Sequence, residues 1–388
     1  MINMKIVMIW HSGSFKIYRV FPEEIAKQKD VECTLIVPEY WPKNLGNVPL
    51  RKYLTGKFEK NYLEEDAKET KLKIVKLNAF LAGKTVHFYP KIWKILNEIN
   101  PDVIYVYEEP WSFCPMHIIM WKKKFSPQTK VVIQSCENLD RKFNHFYENF
   151  VFKYNIKNCD AMAPMSPEVE QVLRKKGYAG NTVIIGEGSE PSIFKKIDSS
   201  KLRKQLGIDK HFVIGFVGRF HESKGLLVLI EAVSKLKKDF RLMLVGDGEL
   251  KEEMINLAKK LNVLDKIIFT GRIKGEELPK YINCFDLGVS PSLTRPYWKE
   301  QFGRFTGEFL LCEVPIIGSS SSTVDFILGK DAIMYKEDDP NELAQKIKLL
   351  MCNKKLRDNL VKVGKKKVLE GFTNEKLAEK FVNFAKGL

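Results

Sequence analysis

The sequence predicts an α/β protein built from two doubly wound parallel-sheet domains facing a central cleft. Three observations predict it. Short apolar runs rich in Val and Ile alternate with amphipathic helical stretches along the 388 residues. The runs are unbroken rather than alternating in polarity, as in strands covered on both faces of a parallel sheet. The rhythm breaks once, at residues 186–210, where Gly186, Gly188, Pro191, Ser199 and Ser200 gather.

The first series of expected strands is Lys5–Trp10, Glu32–Val37, Lys73–Leu77, Val103–Val106, Lys130–Gln134, Ala161–Pro164 and Thr182–Ile185. The second is Phe212–Val217, Arg241–Val245, Ile267–Thr270, Leu287–Ser290, Pro315–Gly318 and Ala332–Tyr335. Each series with its intervening helices makes one Rossmann-like domain, with limits at 1–190 and 191–370. Ser166-Pro167-Glu168 reads as an N-cap, an N1 proline and an early acid, and Gly177 closes that helix. A stripe of Leu226, Leu229, Ile230, Val233 and Leu236 follows Lys224. Residues 371–388 hold a last helix whose Leu377, Phe381 and Phe384 share a side and need a docking surface, with the first domain as the candidate. Residues 43–70, polar and Lys-rich, read as a mobile insertion.

Composition narrows the class. Hydrophobic residues make up 44% and charged residues 29%, ordinary for a globular chain with a large core. The seven cysteines are odd in number and never closely spaced, which fits neither a disulfide framework nor a zinc site and suits a reducing, cytoplasmic location. No run is apolar for long enough to span a bilayer, and no secretory signal is visible. The net charge of +16 is spread over both halves. A basic surface attracts phosphorylated substrates, anionic lipid and nucleic acid alike; its plain reading is a Lys-rich solvated exterior.

The chemistry-bearing residues cluster in the second half. Gly218-Arg219 and Lys224-Gly225 follow an apolar strand and precede a helix, so two cations stand beside a helix N-terminus, a diphosphate-binding arrangement. Their alternative is an exposed basic loop. In the first half, His11-Ser12-Gly13-Ser14 follows a strand in the matching way, with backbone N–H groups expected to face phosphate. Gly246-Asp247-Gly248 and Thr270-Gly271-Arg272 end later strands. The first reads better as a tight connection; Gly271 would let a flat ligand approach backbone. Glu300 and Glu308 stand eight positions apart, the first expected on a loop and the second in the first turn of a helix, where carboxylates can hold sugar and ribose hydroxyls. Separately, each reads as a solvated acid or a helix-start acid.

In this order, Gly218-Arg219…Lys224-Gly225, Gly246-Asp247-Gly248, Thr270-Gly271, Ser290-Pro291-Ser292 and Glu300-x7-Glu308 resemble retaining glycosyltransferases of the GT-B fold, family 4 (group 1) type. The resemblance covers about residues 211–345, and the first domain resembles the family only in outline. It implies that Arg219, Lys224 and Glu300 serve catalysis, with the cations on the departing diphosphate and Glu300 on the transferred sugar. It implies further that Glu308 binds the ribose, that Gly13, Gly218, Phe302, Gly303 and Arg304 meet the donor, and that Arg272 and Ile273 line the base pocket. It implies no metal and no resident cofactor, a nucleotide-sugar donor, and a glycan or lipid-linked acceptor.

This chain departs from the family at several points. Leu293–Lys299 lengthens the segment before Glu300 and brings in Tyr297 and Trp298, which either floor a sugar site or pack. Glu313 stands where glycine is common, Ser321-Ser322 where Gly-Gly is, and Ser189-Glu190 where Val-Asp is. The usual first-domain histidine is missing from Ser135-Cys136-Glu137-Asn138, leaving Glu137 or Asn138 as sugar contacts in its place.

Other readings stay open. A sugar-nucleotide epimerase or a phosphorylase would use the same scaffold. A basic nucleic-acid-binding protein fits the charge but shows no helix-turn-helix, zinc or RNP signature. His145–Ile156 interleaves aromatics with lysines and reads either as a core-facing helix or as a peripheral contact with anionic membrane.

Overall fold

The computed structural model describes residues 3–42, 60–62, 70–140, 142–143, 146–273 and 275–388. The chain divides into two compact units, residues 1–186 with 374–388, and residues 187–373. The expected insertion at 43–70 lies outside the described residues, except for Lys60–Tyr62 and Thr70; His145 also lies outside them.

The first unit holds a seven-stranded sheet. In chain order its strands are β1 (Met4–Ile9), β2 (Val31–Pro38), β5 (Lys73–Leu77), β6 (Val103–Val106), β7 (Lys130–Ser135), β8 (Ala161–Pro164) and β9 (Asn181–Thr182). Their spatial order is β5-β2-β1-β6-β7-β8-β9, parallel throughout. A separate antiparallel pair joins β3 (Tyr40–Pro42) to β4 (Lys60–Tyr62). The apolar runs are buried on both faces, as at Val7, Met8, Ile9 and Val131, Val132, Ile133. The strand expected over Thr182–Ile185 is shorter, because the chain leaves the sheet toward Gly186. The N–H groups of Val183 and Ile185 still donate to the Met162 and Pro164 carbonyls.

Helix Asn374–Lys386 belongs to this first unit. Leu377, Ala378, Phe381, Val382 and Ala385 recur at helical spacing and are buried. Phe381 stacks on Tyr105 at 4.5 Å and meets Phe21 edge-on at 6.5 Å. Burying one such ring contributes roughly 2–3 kcal/mol. Helix Pro167–Lys175 begins as expected, with the Val169 N–H donating to Ser166 Oγ.

The second unit holds β10 (Phe212–Val217), β11 (Phe240–Val245), β12 (Ile267–Gly271), β13 (Leu287–Ser290), β14 (Ile316–Ser319) and β15 (Ile333–Tyr335). Their order is β12-β11-β10-β13-β14-β15, again parallel. Successive strands spread one way from β10 and the other way from β13. The two therefore flank a topological switch point, where connecting loops part and leave a crevice at the strand carboxyl ends. The corresponding point of the first unit lies between β1 and β6.

Candidate active site

Loops from both sides of the second unit's switch point are knitted together. After β10 the chain makes a 3₁₀ turn over Glu222–Lys224, then helix Leu226–Ser234. Gly225 joins them at φ 62°, and a Cβ there would lie 1.9 Å from the Pro291 carbonyl oxygen in the loop after β13. Only glycine allows both the left-handed backbone and that approach. The Leu293 N–H donates to the Ser223 carbonyl at 2.8 Å, closing the same seam.

This seam positions Lys224. Its Nζ lies 2.8 Å from Glu300 Oε2, and Ser292 Oγ donates to the same oxygen at 2.7 Å. The Lys224 ammonium also lies 4.5 Å from the centre of the Trp298 ring. The lengthened segment before Glu300 thus has a specific shape. Arg295 and Trp298 exchange backbone hydrogen bonds, and the indole is laid against the cation. Tyr297 instead points outward and is exposed.

Glu308 lies on helix Arg304–Leu311. The sequence places it in the first turn; the helix starts earlier, so Glu308 is in the second turn and Arg304 occupies the first. Spacing of four residues brings them together, with Arg304 Nε 3.0 Å from Glu308 Oε1. Burial raises the Glu308 pKa, with the Arg304 guanidinium acting against that rise. The helix is fixed at its start by the Gly303 N–H, which donates to Thr323 Oγ1 at 2.8 Å. Phe302 packs against Phe326 and Phe372, so its ring faces the core.

A third acid joins these two. Burial raises the pKa of Glu187, which feels Arg304 as an attractive charge and Glu300 as a repulsive one; Glu308 in turn feels Glu187. Its segment runs against helix Arg304–Leu311, since a Cβ on Gly307 would meet Ser189 Oγ at 2.2 Å. Three carboxylates and two cations therefore share one electrostatic neighbourhood. Sequence reading treats Glu187 as linker; the available signal was an acid flanked by Gly186 and Gly188 just past a last strand.

Arg219 is placed apart from this cluster. It is 68% exposed and pairs with Glu249, in the loop after β11, at 3.1 Å. Gly218 donates its N–H to the Val245 carbonyl. Arg272 and Ile273 follow Gly271, which ends β12 at φ 72° with open space around it, so they lie at the same sheet edge as the other loops.

In the first unit Gly13 serves packing. Its N–H is spent on the Trp10 carbonyl, and a Cβ would press on Leu35 and Val37 at 3.1 Å. Buried Arg19 donates to the Gly13 and Ser14 carbonyls and locks the loop. The N–H of Gly13 thus does not face phosphate as expected. At this unit's switch point His11 Nδ1 lies 2.6 Å from Glu108 Oε1, and His11 stacks on Trp41 at 4.5 Å. Glu109 accepts from the Cys136 N–H at 2.9 Å and from Ser135 Oγ at 3.2 Å. Burial, aided by the nearby Glu137 carboxylate, pushes its pKa up to about 8. Glu137 and Asn138 are buried beside it. The first unit's acids also escaped sequence reading, although Glu108-Glu109 directly follows the apolar run of β6.

Residues 198–367 match the family model described as glycosyl transferases group 1. Over these residues the chain is similar to group 1 glycosyltransferases. The chain is 27% identical over 224 residues to an uncharacterised glycosyltransferase of Methanocaldococcus jannaschii, covering 57% of this chain and 58% of that one. It is 23% identical over 256 residues to the N-acetylgalactosamine-N,N'-diacetylbacillosaminyl-diphospho-undecaprenol 4-alpha-N-acetylgalactosaminyltransferase of Campylobacter jejuni, covering 63% and 66%. The chain thus spans less than two thirds of these relatives' length. Among solved structures, the Anabaena protein HepE in complex with UDP superposes with a TM-score of 0.76 at 17% identity, over 99% of this chain and 100% of that one. At that identity the likeness is one of fold, and the two parallel-sheet α/β units are those of the GT-B fold.

Proposed function

We propose that the protein is a retaining glycosyltransferase that moves a hexosyl or N-acetylhexosaminyl group from a nucleotide-diphosphate donor to a hydroxyl. The observation that carries this reading is the half-buried pairing of Lys224 with Glu300 at the switch point of the unit that matches the group 1 model. A nucleoside diphosphate leaving group gains negative charge as the glycosidic bond breaks. The Lys224 ammonium and the start of helix Leu226–Ser234 lie where such charge is stabilised as it forms. Glu300 accepts a hydroxyl of the transferred sugar, and Glu308 accepts the ribose hydroxyls. Arg219 closes on the diphosphate by exchanging Glu249 for it, an exchange its exposure permits. The base rests at Arg272 and Ile273. These cations do the work of a metal, and the reading includes no resident cofactor.

The UDP bound to HepE and the diphospho-undecaprenol acceptor in the Campylobacter enzyme's name support a nucleotide-sugar donor and a lipid-linked acceptor. Such an acceptor is met at a membrane surface, and the reading includes peripheral contact of the protein with that surface.

The test is incubation with a panel of UDP-, GDP- and ADP-sugars, with and without lipid-linked acceptors. NMR then follows nucleoside diphosphate release and the product's anomeric proton. Acceptor-dependent release with the donor's anomeric configuration kept is the expected result. Isomerised donor without acceptor, or inverted product, overturns it.

A further inference from the structure

Helix Phe146–Asn158 of the first unit has two unlike faces. Val151, Phe152 and Asn155 are buried, together with the helix's one acid, Glu148. Phe146, Asn149, Phe150, Lys153 and Lys157 fall at helical spacing on the opposite, exposed face. Phe146 is 91% exposed and Phe150 61%. Leaving two phenyl rings in water forgoes the burial that drives folding, and a patch of this kind signals a surface that is covered in use.

The start of this helix forms one wall of an open groove of about 650 Å³, lined by Lys142, Phe143, Phe146, Phe152, Lys153 and Lys176. Among the described residues the one acid lining it, Asp140, is 3.7 Å from Lys176, and lysines outnumber it. Alongside the far end of the helix, Lys123 reaches Asn158 and lies over Tyr154, which adds the basic end of helix Phe113–Phe125 with its exposed Phe125.

We propose that this face docks on a bilayer containing anionic phospholipid, with Phe146 and Phe150 entering the headgroup–acyl boundary and Lys142 and Lys153 meeting lipid phosphates. Charge complementarity selects this occupant. Exposed aromatic rings interleaved with cations, free of exposed acids along the helix stripe, match an anionic interface.

The placement bears on chemistry. Phe143 contacts Trp111 at 6.0 Å, and Asn155 donates to the Pro110 and Ser112 carbonyls. The docking face therefore adjoins the loop that follows Glu108 and Glu109 at the carboxyl edge of the first sheet. The inference deepens the proposed lipid-linked acceptor and rests on that reading for its purpose. Its measurement needs no transfer.

The test is co-sedimentation of the full chain with vesicles of phosphatidylcholine alone and of phosphatidylcholine with phosphatidylglycerol, at low and high salt. Binding is expected only with phosphatidylglycerol and is expected to weaken with salt. Phe146→Ser with Phe150→Ser, and separately Lys142→Glu with Lys153→Glu, should each weaken it roughly tenfold or more with unchanged melting curves. A Phe146→Trp variant should shift its emission to the blue on the same vesicles. Lack of binding to anionic vesicles, equal binding to both vesicle types, or binding untouched by both double variants overturns the proposal. So does a wild type that self-associates through these rings while ignoring vesicles.

Discussion

Lys224 Nζ lies 2.8 Å from Glu300 Oε2, although 76 positions separate the two residues in the chain. The contact spans the crevice between β10 and β13, and Ser292 Oγ donates to the same carboxylate oxygen. An ion pair in a crevice of this kind is a poor investment for stability alone, since desolvation offsets most of the attraction. It does hold a cation and an acid side by side in that crevice.

Lys224→Ala should therefore lower transfer by roughly 10²–10³-fold, the scale of losing one preorganised charge-stabilising group. Glu308→Ala should do the same while circular dichroism shows the fold intact. Near-normal turnover in either purified variant would refute the role assigned to it.

Glu313 follows helix Arg304–Leu311 at φ 61°, a left-handed conformation that costs most residues energy. Its ion pair with Lys365 at 2.9 Å lies at the surface and offsets little. Glu313→Gly should stabilise the protein by about 1 kcal/mol in denaturant melts. A destabilised variant would mean that the Lys365 pair outweighs the backbone.

Glu109 gives a pH signature. Its pKa rises from 4.5 to about 8 on folding. Between those values the folded chain keeps a proton that the unfolded chain releases, so this group makes stability fall as pH rises through the window, and leaves it level above and below. Glu109→Gln keeps an acceptor for the Cys136 N–H and a donor for Ser135. Its melting temperature should gain on the wild type steadily from mildly acidic to mildly alkaline pH. Parallel melting profiles for the two proteins would contradict the assignment.

Phe381→Ala should destabilise the first unit by roughly 3–5 kcal/mol, because a buried ring stacked on Tyr105 is replaced by a cavity. Hydrogen exchange should rise in helix Asn374–Lys386 and in its contact helix Val20–Lys27. Exchange confined to the last turn would show that the helix is held elsewhere.

Most strands were legible because parallel strands buried on both faces must be continuously apolar: Val103–Val106 and Leu287–Ser290 match residue for residue. Where burial ended, so did the signal, as at β9 on the sheet edge. At the candidate site, order and spacing single out Lys224, Glu300 and Glu308; the structure brings Lys224 and Glu300 into contact and sets Glu308 one turn later in its helix than expected. The Arg219–Glu249 pairing was not readable, because an exposed arginine chooses its partner by geometry that spacing does not encode. Glu187 was hidden for a different reason. Its importance comes from the fold bringing a glycine-flanked linker against helix Arg304–Leu311, a long-range contact without local pattern. Glu313 shows the opposite case, where a departure visible in sequence became a strained backbone angle in the structure.

The most direct test of a nucleotide-sugar site in the second unit is a binding titration of UDP-, GDP- and ADP-sugars followed by thermal shift, run on the wild type and on Glu308→Ala. A ligand bound only by the folded chain raises its melting temperature. At least one donor should raise that of the wild type, and the same donor should leave Glu308→Ala where it was. Wild-type melting indifferent to every donor, or an equal rise in the variant, would contradict the account.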